Sequence, residues 1–212
     1  MTIRTTTQLV TLFSDPQHIH SRQFTKSHRL IIISAALIDL LAAHQITFKK
    51  IGSKQLVTND EAPVDEALNL MTMFIKVHEP TLQEVLSYYS RVQHFSRLIE
   101  AIISHSSLAK TIIVEQGGFL NNKDVYVATS ASLKRVEDHI QHLLLAPTGW
   151  TDKDVAFLTL YEAGNLGSKM LTQAQRVRLR EQLAQYTHAP ENEFVFSALR
   201  SLLALSDEII AS

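Results

Sequence analysis

From His28 to about His44 apolar residues occupy nearly every face of a helix (HRLIIISAALIDLLAAH). That pattern predicts a helix enclosed by other helices rather than one lying on a surface. Its one acid, Asp39, needs a partner. Beyond it, Ile46, Phe48 and Ile51, then Leu56 and Val57, flank a Gly52-Ser53 turn, which predicts a short hairpin over residues 47–58. Pro63, followed by Asp65 and Glu66, marks a helix start, because acids in a first turn complement the helix dipole. This second helix is expected over about 64–77.

After Pro80, residues Leu82, Val85, Leu86, Tyr89, Val92, Leu98, Ile99, Ile102 and Ile103 recur largely at spacings of three and four. They predict one long helix that ends near His105. LAKTIIVEQ, the Gly117-Gly118 break, Asn121-Asn122 and DVYVAT then predict a second hairpin. Residues 5–13 fit a short helix. The last third is helical, with one helix lined by Leu133, Val136, Ile140, Leu143 and Leu144, a start at Thr151 with Asp154, another at Thr172 with Gln175, and a final helix lined by Phe194, Ala198, Leu199 and Leu202. No linker rich in Pro, Gly or Ser divides the chain. The expected architecture is mainly α: a single compact helical domain over residues 1–212, built around a buried central helix, with two short β-hairpins.

Composition narrows the chemistry. The 212 residues are 45% hydrophobic, enough for a core without metal or disulfide staples. With no cysteine there is no disulfide scaffold, no thiolate nucleophile and no sulfur-ligated metal site, and a reducing compartment fits. The start, MTIRTTTQLVTLFSDPQ, has no apolar run of the signal-peptide kind, and the run from Leu30 to Ala43 falls short of the roughly 20 residues that cross a bilayer. The expected location is therefore the cytoplasm. A net charge of -1 gives no overall pull toward nucleic acid or anionic lipid, so such binding would need a local patch.

Candidate catalytic and metal groups resolve into structural ones. Among ten histidines, His18 with His20 and His139 with His142 could each supply two ligands, but a stable site needs three or four. Gly164-Asn165-Leu166-Gly167-Ser168-Lys169 lacks phosphate-loop spacing and follows a helix, so it reads as a turn joining helices. There is no serine-hydrolase elbow. Asp60, Glu61, Asp65 and Glu66 suit a turn and a helix start, and Arg176, Arg178 and Arg180 point to different helix faces. No catalytic residue, metal or cofactor is expected. What remains is a basic set: Arg22, Lys26, His28 and Arg29 before the buried helix, and Lys49, Lys50 and Lys54 on the first hairpin, with Phe24 among them. If the loop and hairpin meet, they form a concavity suited to an anionic head group.

The order of elements resembles the Golgi phosphoprotein 3 family over most of residues 5–205. QLVTLFSDP, LIDLLAAHQI, LVTNDEAPVDEAL, RLIEAIISHSSLAKTIIVEQGGFL and DKDVAFLTLYEAGNL carry the resemblance, with the turn in APVDEAL shortened. It implies a helical, non-enzymatic peripheral membrane protein that binds phosphatidylinositol 4-phosphate. In that family an aromatic residue and three arginines hold the lipid. The aromatic position falls on Phe24; the first arginine position falls on Ile33, one helical turn after Arg29; the later pair falls near Val92 and Phe95, beside Arg91 and Arg97. Phe24, Arg29, Arg91 and Arg97 are therefore the candidate head-group residues. The resemblance also implies homo-oligomerisation through the second hairpin. Two other readings stand beside it: a protein-interaction scaffold, and a winged-helix-like DNA-binding regulator, against which the apolar helix before the hairpin and the net charge both argue, so no nucleic acid is expected.

Overall fold

The apolar run of the sequence becomes the axis of a mainly helical fold. The computed structural model describes residues 4–15, 24–51, 54–59, 66–105, 112–116, 124–146, 149–187 and 193–211. Helix α1 (Thr5–Phe13) leads to the central α2 (Lys26–Ala42), then to the hairpin β1 (Ile46–Ile51) and β2 (Lys54–Asn59). A 3-10 turn, Glu66–Leu68, precedes α3 (Asn69–His78), α4 (Leu82–Ser90) and α5 (Val92–His105). A second hairpin, β3 (Ile112–Gln116) with β4 (Asp124–Ala128), is followed by α6 (Ser130–Leu145), α7 (Asp152–Ala163), the single turn α8 (Gly167–Met170), α9 (Gln173–Thr187) and α10 (Glu193–Ala211). Both hairpins are antiparallel, pairing Ile46 with Asn59 and Ile112 with Ala128 at their open ends.

Threonine starts many of these helices. The side chains of Thr25, Thr81, Thr129 and Thr151 each accept from a backbone N–H three residues on, and Thr172 does the same for Gln175. At Thr81, Thr151 and Thr172 the residue three positions later, Glu84, Asp154 or Gln175, bonds back to the threonine N–H. These reciprocal boxes satisfy backbone donors that a helix end leaves open.

Helix α2 is walled in by α1, α4, α7 and α10. Its residues from Leu30 to Ile38, and Leu40 and Leu41, are buried. Each large aliphatic side chain so placed contributes roughly 1.5–3 kcal/mol relative to exposure. One continuous core runs from Leu9 in α1 to Ile209 in α10.

The polar residue in that helix has a specific task. Asp39 accepts from the backbone N–H groups of Thr5 (3.2 Å) and Thr6 (2.9 Å) and from the Thr6 hydroxyl (2.6 Å). Arg4, at the N-cap of α1, makes no side-chain cap. A carboxylate from α2 thus caps α1 across 33 residues of sequence. Burial raises the pKa of Asp39, and the bonds from Thr5 and Thr6 pull it back down. At the other end of α2, Lys26 donates to the carbonyl of Ile209, covering the C-terminal turn of α10.

The predicted long helix from Pro80 to His105 is two helices. Arg91 adopts extended backbone (φ -69, ψ 135) and separates α4 from α5. In an unbroken helix the Ser90 carbonyl would accept from the N–H of His94. Here it accepts instead from Arg29 Nε at 2.7 Å, while the His94 and Phe95 N–H groups turn to the carbonyl of Arg91. A side chain from α2 therefore occupies the acceptor that helical continuity would use. Within the described residues the expected second helix is the 3-10 turn Glu66–Leu68 followed by α3; Pro63 and Asp65, like Gly52-Ser53 and Gly117-Gly118, lie outside them.

Candidate functional site

The break between α4 and α5 gathers part of the predicted basic set. Arg29 donates from Nε to Ser90 and from Nη1 to the carbonyl of Phe24 at 2.8 Å. The Phe24 ring meets Phe95 edge-on at 5.3 Å. One guanidinium thus ties the segment before α2 to the end of α4, and burial lowers its pKa. Arg29 is a structural clamp on two backbone carbonyls.

Arg97 faces elsewhere. It lies two residues beyond Phe95, so on a helix it projects to nearly the opposite side. There it lines an open cleft of about 760 Å³ with Glu66, Asn69 and Glu100, and a groove of about 270 Å³ beside α3. Phe24 and Arg29 therefore meet at the end of α4, and Arg97 lines neither contact. Phe24 and Arg29 meet at the Ser90 carbonyl, whereas the charges of Arg91 and Arg97 both act on His94.

Among the described residues the hairpin and the start of α2 lie apart. β2 docks at the start of α4, where the Val57 N–H donates to the Pro80 carbonyl at 2.9 Å and Leu56 bridges Thr81. Phe24 and Arg29 sit at its end. Nine residues of helix separate the two places, about 13 Å at 1.5 Å per residue. Lys49 and Lys50 are consecutive on β1 and project to opposite faces of the ribbon. Lys54 stands close enough to Glu84 for its charge to help the hydrogen bonds from Thr81 hold that carboxyl below its usual range. Arg22 lies outside the described residues.

What the fold assembles instead is an aromatic and cationic edge that sequence spacing does not reveal. Phe74 of α3 stacks on Tyr88 of α4 at 4.3 Å, and Tyr88 stacks on His94 of α5 at 3.9 Å. Tyr89 anchors the pair of helices by donating its hydroxyl to the Leu70 carbonyl at 2.8 Å, and burial raises its pKa. Burial, then the charges of Arg91 and Arg97, hold the pKa of His94 below its ordinary value. Neither arginine has a hydrogen-bond or ion-pair partner for its side chain among the described residues. Beside them stand apolar side chains in water: Met73 is 57% exposed, Val77 70% and Val92 65%. A single clue lay in the chain, since Leu70, Met73 and Val77 repeat at helical spacing on the side of α3 away from Met71 and Ile75.

The other candidates have local explanations. His139 lies 3.8 Å from Asp154 and tilts over Phe157, and no metal-binding group of three occurs among the described residues. His18 and His20 lie outside them. Arg180 pairs with Glu162, and Gly164 to Met170 is the turn between α7 and α9 that its spacing indicated. Helix α2 offers no apolar or polar face to a nucleic-acid groove along its buried length. Among the described residues no helix is long and apolar enough to cross a membrane.

No family model matches the chain, and no curated protein matches it at a significant level.

Proposed function

We propose that this chain is a non-enzymatic peripheral binding protein of the Golgi phosphoprotein 3 type, which engages anionic head groups at a membrane surface through the edge formed by α3 and the α4–α5 break. The observation that supports this most is the grouping of two unengaged arginines, Arg91 and Arg97, around His94, next to the exposed apolar side chains of Met73, Val77 and Val92. An interfacial surface needs both parts: apolar side chains gain by leaving water, and each cation near an anionic leaflet adds about 1 kcal/mol. The order of helix, hairpin, helix and second hairpin supports the family assignment. Self-association along the open edges of the β3–β4 hairpin belongs to the same reading.

Flotation with phosphatidylcholine vesicles, alone or with phosphatidylserine or phosphatidylinositol 4-phosphate, tests it. The expected result is flotation on anionic vesicles at low salt, weakened as salt rises, with Arg91→Glu and Arg97→Glu each costing at least about 1 kcal/mol, roughly fivefold in affinity. No flotation on either anionic vesicle at low salt sinks the reading. Equal flotation on the two lipids at matched charge removes its phosphoinositide part.

A further inference from the structure

Helices α3 and α4 run antiparallel, held at one end by the Tyr89 hydroxyl on the Leu70 carbonyl. Between them and the start of α5 the aromatic stack of Phe74, Tyr88 and His94 forms the floor of the 270 Å³ groove, with Met73 and Val77 as its exposed lip. That volume falls just below the roughly 300–1,000 Å³ of pockets for drug-sized ligands, and the groove is open to solvent along its lip.

The charged groups at this groove have one sign. Its described lining contains no carboxylate; Arg97, His94 and His78 are the groups that carry or can gain charge there besides two tyrosines. Glu66 and Glu100 line the larger cleft, which shares Leu70 and Arg97 with the groove. A groove lined by apolar and aromatic side chains and by one unengaged guanidinium suits a ligand with an aliphatic tail and an acidic head, because a fork of N–H donors fits a carboxylate or phosphate oxygen pair.

We propose that this groove binds the single aliphatic chain of an anionic amphiphile, with Phe74, Tyr88 and Val77 against the tail and Arg97 on the head. The inference goes beyond the membrane-surface reading and shares Arg97 and Val77 with it, the sign of the charge coming from the groove's own lining. It requires no bilayer, since the ligand is taken up as a monomer.

Calorimetric titration with dodecanoate below its micelle concentration, without vesicles, tests the groove directly. Saturable one-to-one binding is expected, weakened at least tenfold by Arg97→Gln and by Val77→Glu and unchanged by Leu145→Glu, a substitution on the exposed side of α6. Dodecyltrimethylammonium, with the same tail and the opposite charge, should bind at least tenfold more weakly. The proposal is overturned by the absence of saturable binding, by equal binding of the two amphiphiles, or by loss on Leu145→Glu equal to that on Val77→Glu. A chain that floats with anionic vesicles but takes up no dodecanoate overturns the groove and leaves the surface reading standing. Uptake of dodecanoate without flotation on any vesicle does the reverse.

Discussion

Helices α2 and α3 are built from similarly apolar sequences and have opposite fates. LIIISAALIDLL is buried on all sides, whereas in NLMTMFIKVH only Met71, Thr72 and Ile75 are buried and Met73 and Val77 stand in water. The difference lies in neighbours. Four helices surround α2, while α3 packs on β2, the Glu66–Leu68 turn, α4 and α5 and leaves Met73 and Val77 exposed. Apolar side chains stabilise a fold only where another surface removes them from water; where none does, they are available to something else.

Leu37→Ala should break this contrast most visibly. Leu37 is fully buried, and its truncation is expected to cost about 2–5 kcal/mol in chemical denaturation. Arg29→Ala comes next, since it removes two charge-assisted bonds and leaves the Ser90 and Phe24 carbonyls without their donor; a loss of about 2–3 kcal/mol is expected. In that variant amide exchange should change near residues 90–95, where the helix break loses its cause. Retention of wild-type stability would show that the break is intrinsic to Ser90-Arg91.

Asp39→Asn makes a smaller and pH-dependent change. The folded-state pKa of Asp39 is raised, so the native state holds its proton more tightly than the unfolded chain does. That contribution is complete below the unfolded value of about 3.9 and is lost as pH rises through the folded value. The advantage of the wild type over Asp39→Asn should therefore shrink as pH rises above about 4, as followed by thermal melts. An advantage that grows with pH would mean that the Thr5 and Thr6 bonds outweigh burial. Smallest of all, Met73→Ala and Val77→Ala should each move stability by no more than about 0.5 kcal/mol, because neither side chain is buried. A loss comparable to that of Leu37→Ala would mean that α3 is covered by the same chain.

Much of the fold was legible because its causes are local. The buried helix follows from periodicity, and the starts at Thr151 and Thr172 follow from residues three apart. The candidate site was legible only in part. Phe24 and Arg29 do touch, but nothing in their spacing shows that the Arg29 guanidinium is spent on backbone carbonyls. Phe74, Tyr88 and His94 were passed over because each belongs to a different helix. Their stack exists only after α3 folds back on α4 through the left-handed Glu79 and after the chain turns again at Arg91.

By itself, then, the sequence determined a helical chain with one enclosed helix and two hairpins, since hydrophobic period, threonine caps and turn residues act over a few positions. Tertiary structure decided the rest. It split the helix at Arg91 through a donor 61 residues away, assigned Asp39 to the end of α1, and placed the hairpin lysines and Arg29 at opposite ends of α4. Those outcomes depend on which side chain lies within reach of an unsatisfied backbone group, and only the folded arrangement of helices brings those groups together.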